Sequence, residues 1–145
     1  MSRTQRQREN QELLERLRRD ATQMARHFGL RVRCIEAERA NVKRRYGICY
    51  SDGTIRIRLR HVTTGMPLRY SSLVNTLCHE LAHLRHFDHS ARFDRFYAQL
   101  LGWARQQGIY RPRRARPRPQ DAPVAPPRRQ PSPQPSAPGP MRTRA

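Results

Sequence analysis

The chain has 145 residues, and 30 lysines and arginines against 11 aspartates and glutamates give it a formal net charge of +19. That length holds one compact domain and little else. The start, MSRTQRQREN, has charges but no apolar core behind them, and no stretch approaches membrane-spanning length, so a cytoplasmic protein without a membrane contact is expected.

Residues 5–28 read as a helix. Leu13, Leu14, Leu17, Ala21, Met24, Ala25 and Phe28 recur at steps of three and four, which makes one face apolar. Gly29 is a natural stop, because glycine takes the left-handed conformation that ends helices. A strand is expected over Arg31–Ala37 and a second over Arg45–Tyr50. Ser51-Asp52-Gly53 is a turn signal, and Thr54 to Arg60 alternates apolar and charged residues with period two, the clearest strand in the chain. Tyr46 to Leu59 then forms a hairpin. Pro67 suits a helix's first turn, and a helix is expected from Pro67 to His86 with Leu73, Val74, Leu77, Leu81 and Leu84 on its apolar side. Ser90 can cap a last helix over Ala91–Gln107, whose stripe is Phe93, Phe96, Tyr97, Leu100, Leu101 and Ala104. Helix, strands and then two helices make an α+β domain with its core in residues 31–108.

Beyond that domain, assigned to residues 1–110, the composition changes. Residues 111–145 hold 11 of the 12 prolines, nine arginines and one acid, a net of +8, which leaves +11 for the domain. Too few apolar residues are present there to offset chain ordering, so a disordered tail is expected. Excess positive charge in both parts points to a polyanion, with a nucleic acid phosphate backbone as the first candidate. The three cysteines, Cys34, Cys49 and Cys78, form no CxxC pair. They predict free buried thiols rather than a disulfide framework or a zinc ribbon.

The chemistry concentrates in Cys78-His79-Glu80-Leu81-Ala82-His83, an H-E-x-x-H pattern inside the helix expected from Pro67 to His86. Four residues on a helix advance about 400°, so His79 and His83 project from one face about one turn apart. Both imidazoles can then reach a single Zn²⁺. Glu80, beside the first ligand, is placed to take a proton from the attacking water as general base. Catalytic zinc usually has three protein ligands. His86 on a continued helix would put three imidazoles in a row, whereas a turn at Asp88 would fold His89 back under the ion. His79 to His89 has the spacing H-E-x-x-H-x-x-x-x-x-H, which favours His89. His27 and His61 have no cluster around them.

With these residues in view, the chain resembles the SprT/YgjP-like (WLM-related) zinc metallopeptidases. The resemblance runs from Arg44-Arg45-Tyr46-Gly47-Ile48-Cys49-Tyr50 through Gly53-Thr54-Ile55-Arg56-Ile57 and His79-Glu80-Leu81-Ala82-His83-Leu84 to Asp88-His89-Ser90 and Phe93. It departs at Tyr46, where a tryptophan is usual, at Ile48, where a small residue is usual, and at Asp88, where asparagine is common. The resemblance implies a zincin-like α+β fold, helices packed on a small antiparallel sheet, with zinc ligands His79, His83 and His89 and Glu80 as general base.

Three functions compete on these residues. A zinc peptidase would take a peptide or protein substrate along an exposed strand edge, with Thr54 to Arg60 as the candidate. A zinc hydrolase of a nucleotide phosphoanhydride would use Arg44, Arg45, Arg56, Arg58 and Arg60 to hold phosphates. A nucleic-acid-bound module would keep the metal for structure alone. Arg45, Tyr46 and Tyr97 are candidates for stabilising an oxyanion.

Overall fold

Ser2 accepts a hydrogen bond from the Gln5 backbone N–H at 3.1 Å, and the helix it caps, α1, runs Arg3–Phe28. The computed structural model describes residues 2–112. The tail expected over 111–145 therefore lies almost wholly outside the described residues. α1 starts two residues before its first predicted position because of that cap. It ends as predicted at Gly29, whose φ of 67° is left-handed. Of its apolar stripe, Leu17, Ala21 and Met24 are fully buried, while Leu13, Leu14 and Phe28 lie half-buried against the same core.

Three short strands follow, β1 (Cys34–Ala37), β2 (Gly47–Cys49) and β3 (Thr54–Ile57), all within the predicted segments but shorter. The β2–β3 hairpin forms around the predicted turn. Asp52 Oδ1 accepts the Thr54 N–H at 2.9 Å and Gly53 takes a φ of 95°. β2 pairs antiparallel with β3, but β1 pairs parallel with it, Ile35 opposite Ile55. The sheet has the order β1-β3-β2 and is mixed, which corrects the expectation of an antiparallel one. The reason is the crossover through residues 38–46. It carries the chain past the middle position, and the hairpin return then fills that position running the same way as β1. As the middle strand, β3 has both edges paired, so the peptide-docking edge expected at Thr54 to Arg60 does not exist. Its alternation holds at Ile55 and Ile57, both fully buried.

Arg58 breaks the pattern that β3 sets. Alternation puts it on the solvent face, yet it is 7% exposed. Residues 38–46 fold over that face, and the Arg58 guanidinium donates to the backbone carbonyls of Arg45, at 3.0 and 3.2 Å, and of Val42. Arg45 in turn pairs with the buried Glu38 carboxylate at 2.9 Å.

Two helices complete the domain, α2 (Tyr70–His83) and α3 (Ala91–Gln106). α2 is shorter than predicted at both ends. Pro67 does not open it. Instead Pro67 bridges Arg60, and the Leu68 N–H donates to the Leu59 carbonyl at 2.8 Å, so the chain is still extended there. At the other end the Arg85 and His86 N–H groups both donate to the Ala82 carbonyl, a tight turn that stops the helix at His83 rather than His86. Ser90 caps α3 by accepting the Phe93 N–H at 3.3 Å. α2 is the middle of the molecule. Its residues Leu73, Val74, Leu77 and Leu81 are fully buried among Ile35, Ile55 and Cys49 of the sheet, Leu17 and Met24 of α1, and Phe93, Phe96 and Leu100 of α3. Among the described residues no helix is long and apolar enough to cross a membrane.

Candidate metal centre

The helical period puts His79 and His83 on one face of α2, and their ring centroids lie 4.9 Å apart. The early stop of α2 matters here. Once the chain leaves the helix axis after His83, His89 returns over the same face, 5.4 Å from the His79 ring and 4.7 Å from the His83 ring. One ligand nitrogen from each of the three lies within 4.8 Å of the others. His86 does not join them. Its ring faces Phe96 at 6.1 Å, but its backbone carbonyl lies 3.1 Å from His83 Nδ1. An Nδ1–H donated to that carbonyl fixes the tautomer and leaves His83 Nε2 as a lone-pair donor, the usual way a protein aims a metal-binding imidazole. Three neutral imidazoles form a donor set that a divalent ion such as Zn²⁺ accepts, so the residues fit a metal.

α3 supplies the wall behind the imidazoles. The Phe93 ring lies 5.0 Å from His79, 4.4 Å from His83 and 5.0 Å from His89, touching all three. Tyr97 stands one turn further on, 5.3 Å from His79, and its hydroxyl donates to Asn75 Oδ1 on α2. Burial, first of all, pushes the Tyr97 hydroxyl well above its ordinary range, so it stays a neutral donor. Asn75 lies four residues before His79, so this bond ties α3 to α2 on the face that carries His79.

Glu80 is 3% exposed and reaches toward β2. A Cβ on Gly47 would come within 2.7 Å of Thr76 Cγ2 and 3.2 Å of Glu80 Cγ. The glycine therefore lets the sheet lie directly on the segment of α2 that carries the carboxylate. Of the residues considered for an oxyanion, Arg45 is engaged with Glu38, Tyr97 with Asn75, and Tyr46 is 57% exposed. The arginines expected to hold phosphates are similarly engaged. Arg56 pairs with Glu36 at 3.0 Å, Arg58 holds two carbonyls, and Arg60 binds Glu9 at 2.6 Å and Asn10 at 2.7 Å. Only Arg44 of that set is left exposed with no ion pair among the described residues. His27 stacks on Trp103 at 4.5 Å and His61 is exposed, both outside the cluster. Cys78 is fully buried, and burial pushes its thiol up to about 12.

The sequence assigns no task to Asn75 or Thr76, and Gly47 enters only as part of the segment that carries the family resemblance. Nothing in the local pattern marks the first two, because only the packing of α3 and β2 on α2 gives them a task. Gly47 carried a usable signal, a glycine inside a predicted strand, which often marks a close approach of another element.

A family model described as the WLM domain matches residues 1–111. Among solved structures, a Wss1 mutant from Saccharomyces cerevisiae superposes with a TM-score of 0.63 at 22% identity, over 72% of this chain and 86% of that one. Wss1 from S. pombe superposes with a TM-score of 0.56 at 26% identity, over 65% of this chain and 79% of that one. A search of curated proteins finds no match. The zincin-like α+β architecture is thus shared with these structures. The matched family is the WLM-related part of the resemblance drawn from the sequence, not its SprT/YgjP part.

Proposed function

The chain belongs to the WLM-domain family, and from that premise we propose that it is a zinc metallopeptidase, with His79, His83 and His89 as the metal ligands and Glu80 as general base. The single observation that carries this reading is the convergence of the three imidazole nitrogens within 4.8 Å, two of them on the helix that carries Glu80.

A Zn²⁺ ion held there would supply Lewis acidity, polarising a carbonyl and lowering the pKa of water from 15.7 toward about 7. The chain's own residues do the rest. His83 is held in one tautomer by the His86 carbonyl. Phe93 packs against all three rings and excludes water behind them. Glu80 accepts a proton from the attacking water and returns it to the leaving amine. β2 is the outer strand nearest the centre, and in this proposal an extended peptide is bound on that side of the sheet. Peptide over phosphoanhydride is favoured because three of the arginines beside that edge already serve internal partners. In this proposal the remaining basic surface and the Arg/Pro-rich tail contact nucleic acid and hold the enzyme near it.

Metal analysis and turnover on an unfolded protein substrate test the reading together. Wild type should bind one equivalent of zinc per chain. His89→Ala should lose the metal, and His86→Ala should keep it. Glu80→Gln should keep the metal and lose turnover by roughly 10²- to 10⁴-fold. Full turnover in Glu80→Gln would overturn the mechanism, and full zinc occupancy in His89→Ala would overturn the ligand set.

A further inference from the structure

At the sheet edge opposite the histidines, between the second half of α1 and the segment leading into β1, lies a groove of about 720 Å³. Its floor is aliphatic, formed mainly by Ala25, Leu30 and Val32. Four guanidinium groups surround the floor, from Arg18, Arg26, Arg31 and Arg33, and no acidic residue lines it. Arg18 gives its Nε–H to the Ile35 carbonyl at 2.9 Å, so the edge of β1 is tied to α1 there rather than open to strand addition. Arg33 meets Asp52 at 3.4 Å, but both side chains are more than half exposed and the pair is screened by solvent. Arg26 and Arg31 are exposed and make no ion pair among the described residues. Four like charges around one apolar floor repel each other, and an anionic occupant would relieve that repulsion.

We infer that this groove docks an acidic segment of another protein that carries aliphatic side chains. Carboxylates match the guanidinium fork and can be held bidentately. Leu30 and Val32 gain only from an occupant with apolar side chains of its own. A nucleic acid would satisfy the arginines but not the floor, and the groove has no aromatic residue on which a base could stack. The chain's own tail is ruled out by charge, with nine arginines against one acid, and a second copy at +19 is disfavoured for the same reason. The occupant therefore comes from a different, acidic protein. It docks two strands away from the histidine centre and leaves that centre open.

The test uses the full chain and a fluorescein-labelled peptide of about twelve residues composed of glutamate, aspartate and valine, read by anisotropy at about 0.15 M salt. Two double variants carry the same change in net charge: Arg26→Glu with Arg31→Glu at the groove, and Arg92→Glu with Arg95→Glu on the exposed side of α3. The groove variant should weaken peptide binding by about tenfold or more and the α3 variant by much less. Replacing the peptide's valines by serine should also weaken binding to wild type. Equal losses in the two variants would mean general attraction of polyanions and would overturn the inference. So would undiminished binding of the serine peptide. A single-stranded oligonucleotide that loses as much affinity as the peptide in the groove variant alone would reassign the groove to nucleic acid. None of these outcomes reads turnover, so they stand apart from the fate of the peptidase reading.

Discussion

The β2 edge of the sheet and the β1 edge carry opposite chemistry. Beside β2 nearly every polar group is buried and engaged: Glu80 under Gly47, His83 on the His86 carbonyl, Tyr97 on Asn75, Arg58 on the carbonyls of residues 42 and 45. Beside β1 the cations are exposed and loosely held. The net charge of +19 therefore says little about where chemistry happens. A metal centre needs neutral imidazoles in a dry, preorganised setting, and that setting is made by packing. Attraction of a partner needs charge left in water, and that is what the other edge supplies.

Substitutions should separate the two edges by how much they cost. The largest effect is expected at Arg58→Met. It leaves the carbonyls of Val42 and Arg45 without their donor under the 38–46 segment, at about 3 kcal/mol of stability in total, measured by urea unfolding. A loss below about 0.5 kcal/mol would mean that water replaces the guanidinium and reaches this edge.

Gly47→Ala comes next. The added Cβ meets Thr76 and Glu80, so a cost of about 1–3 kcal/mol is expected for overpacking, together with lower turnover in the folded fraction because β2 must lift off α2. Unchanged turnover would show that the contact between β2 and Glu80 has no part in catalysis.

Tyr97→Phe keeps the ring against His79 and removes only the bond to Asn75. It should cost about 1 kcal/mol and weaken zinc retention against a chelator more than it lowers the melting temperature. If metal retention is untouched, the Tyr97–Asn75 tie is a helix–helix contact and nothing more.

The smallest effects should be at thiols and exposed arginines. Burial raises the Cys78 thiol to about 12, so it stays protonated at pH 8 and iodoacetamide should label it only after unfolding. Labelling of Cys78 itself in the native protein at a free-thiol rate, with the half-buried Cys34 scored separately, would contradict that burial. Arg33→Ala at the β1 edge should leave the melting temperature unchanged, since its partner Asp52 is exposed. A clear fall would mean that the Arg33–Asp52 pair is shielded from solvent and that the two edges hold their charges alike.

Much of this was legible in the chain itself. The period of 3.6 put His79 and His83 on one face and Glu80 beside them, and the period of 2 marked β3, because both patterns arise within one element and need no partner. Gly29, Asp52-Gly53 and Ser90 marked their stops, turn and cap for the same reason. The spacing to His89 favours that residue over His86, although the helix expected to run to His86 stops at His83. Other features were decided only by contacts between distant segments. The parallel pairing of β1 depends on where the 38–46 crossover goes. The burial of Arg58 depends on what that crossover covers. The extended Pro67 depends on a bridge to Arg60. Local sequence sets which groups lie on a face of a helix or strand. Which face meets which, and so which groups are shielded from water, is fixed by the packing of the whole chain, where burial and unpaired backbone groups weigh more than local propensity.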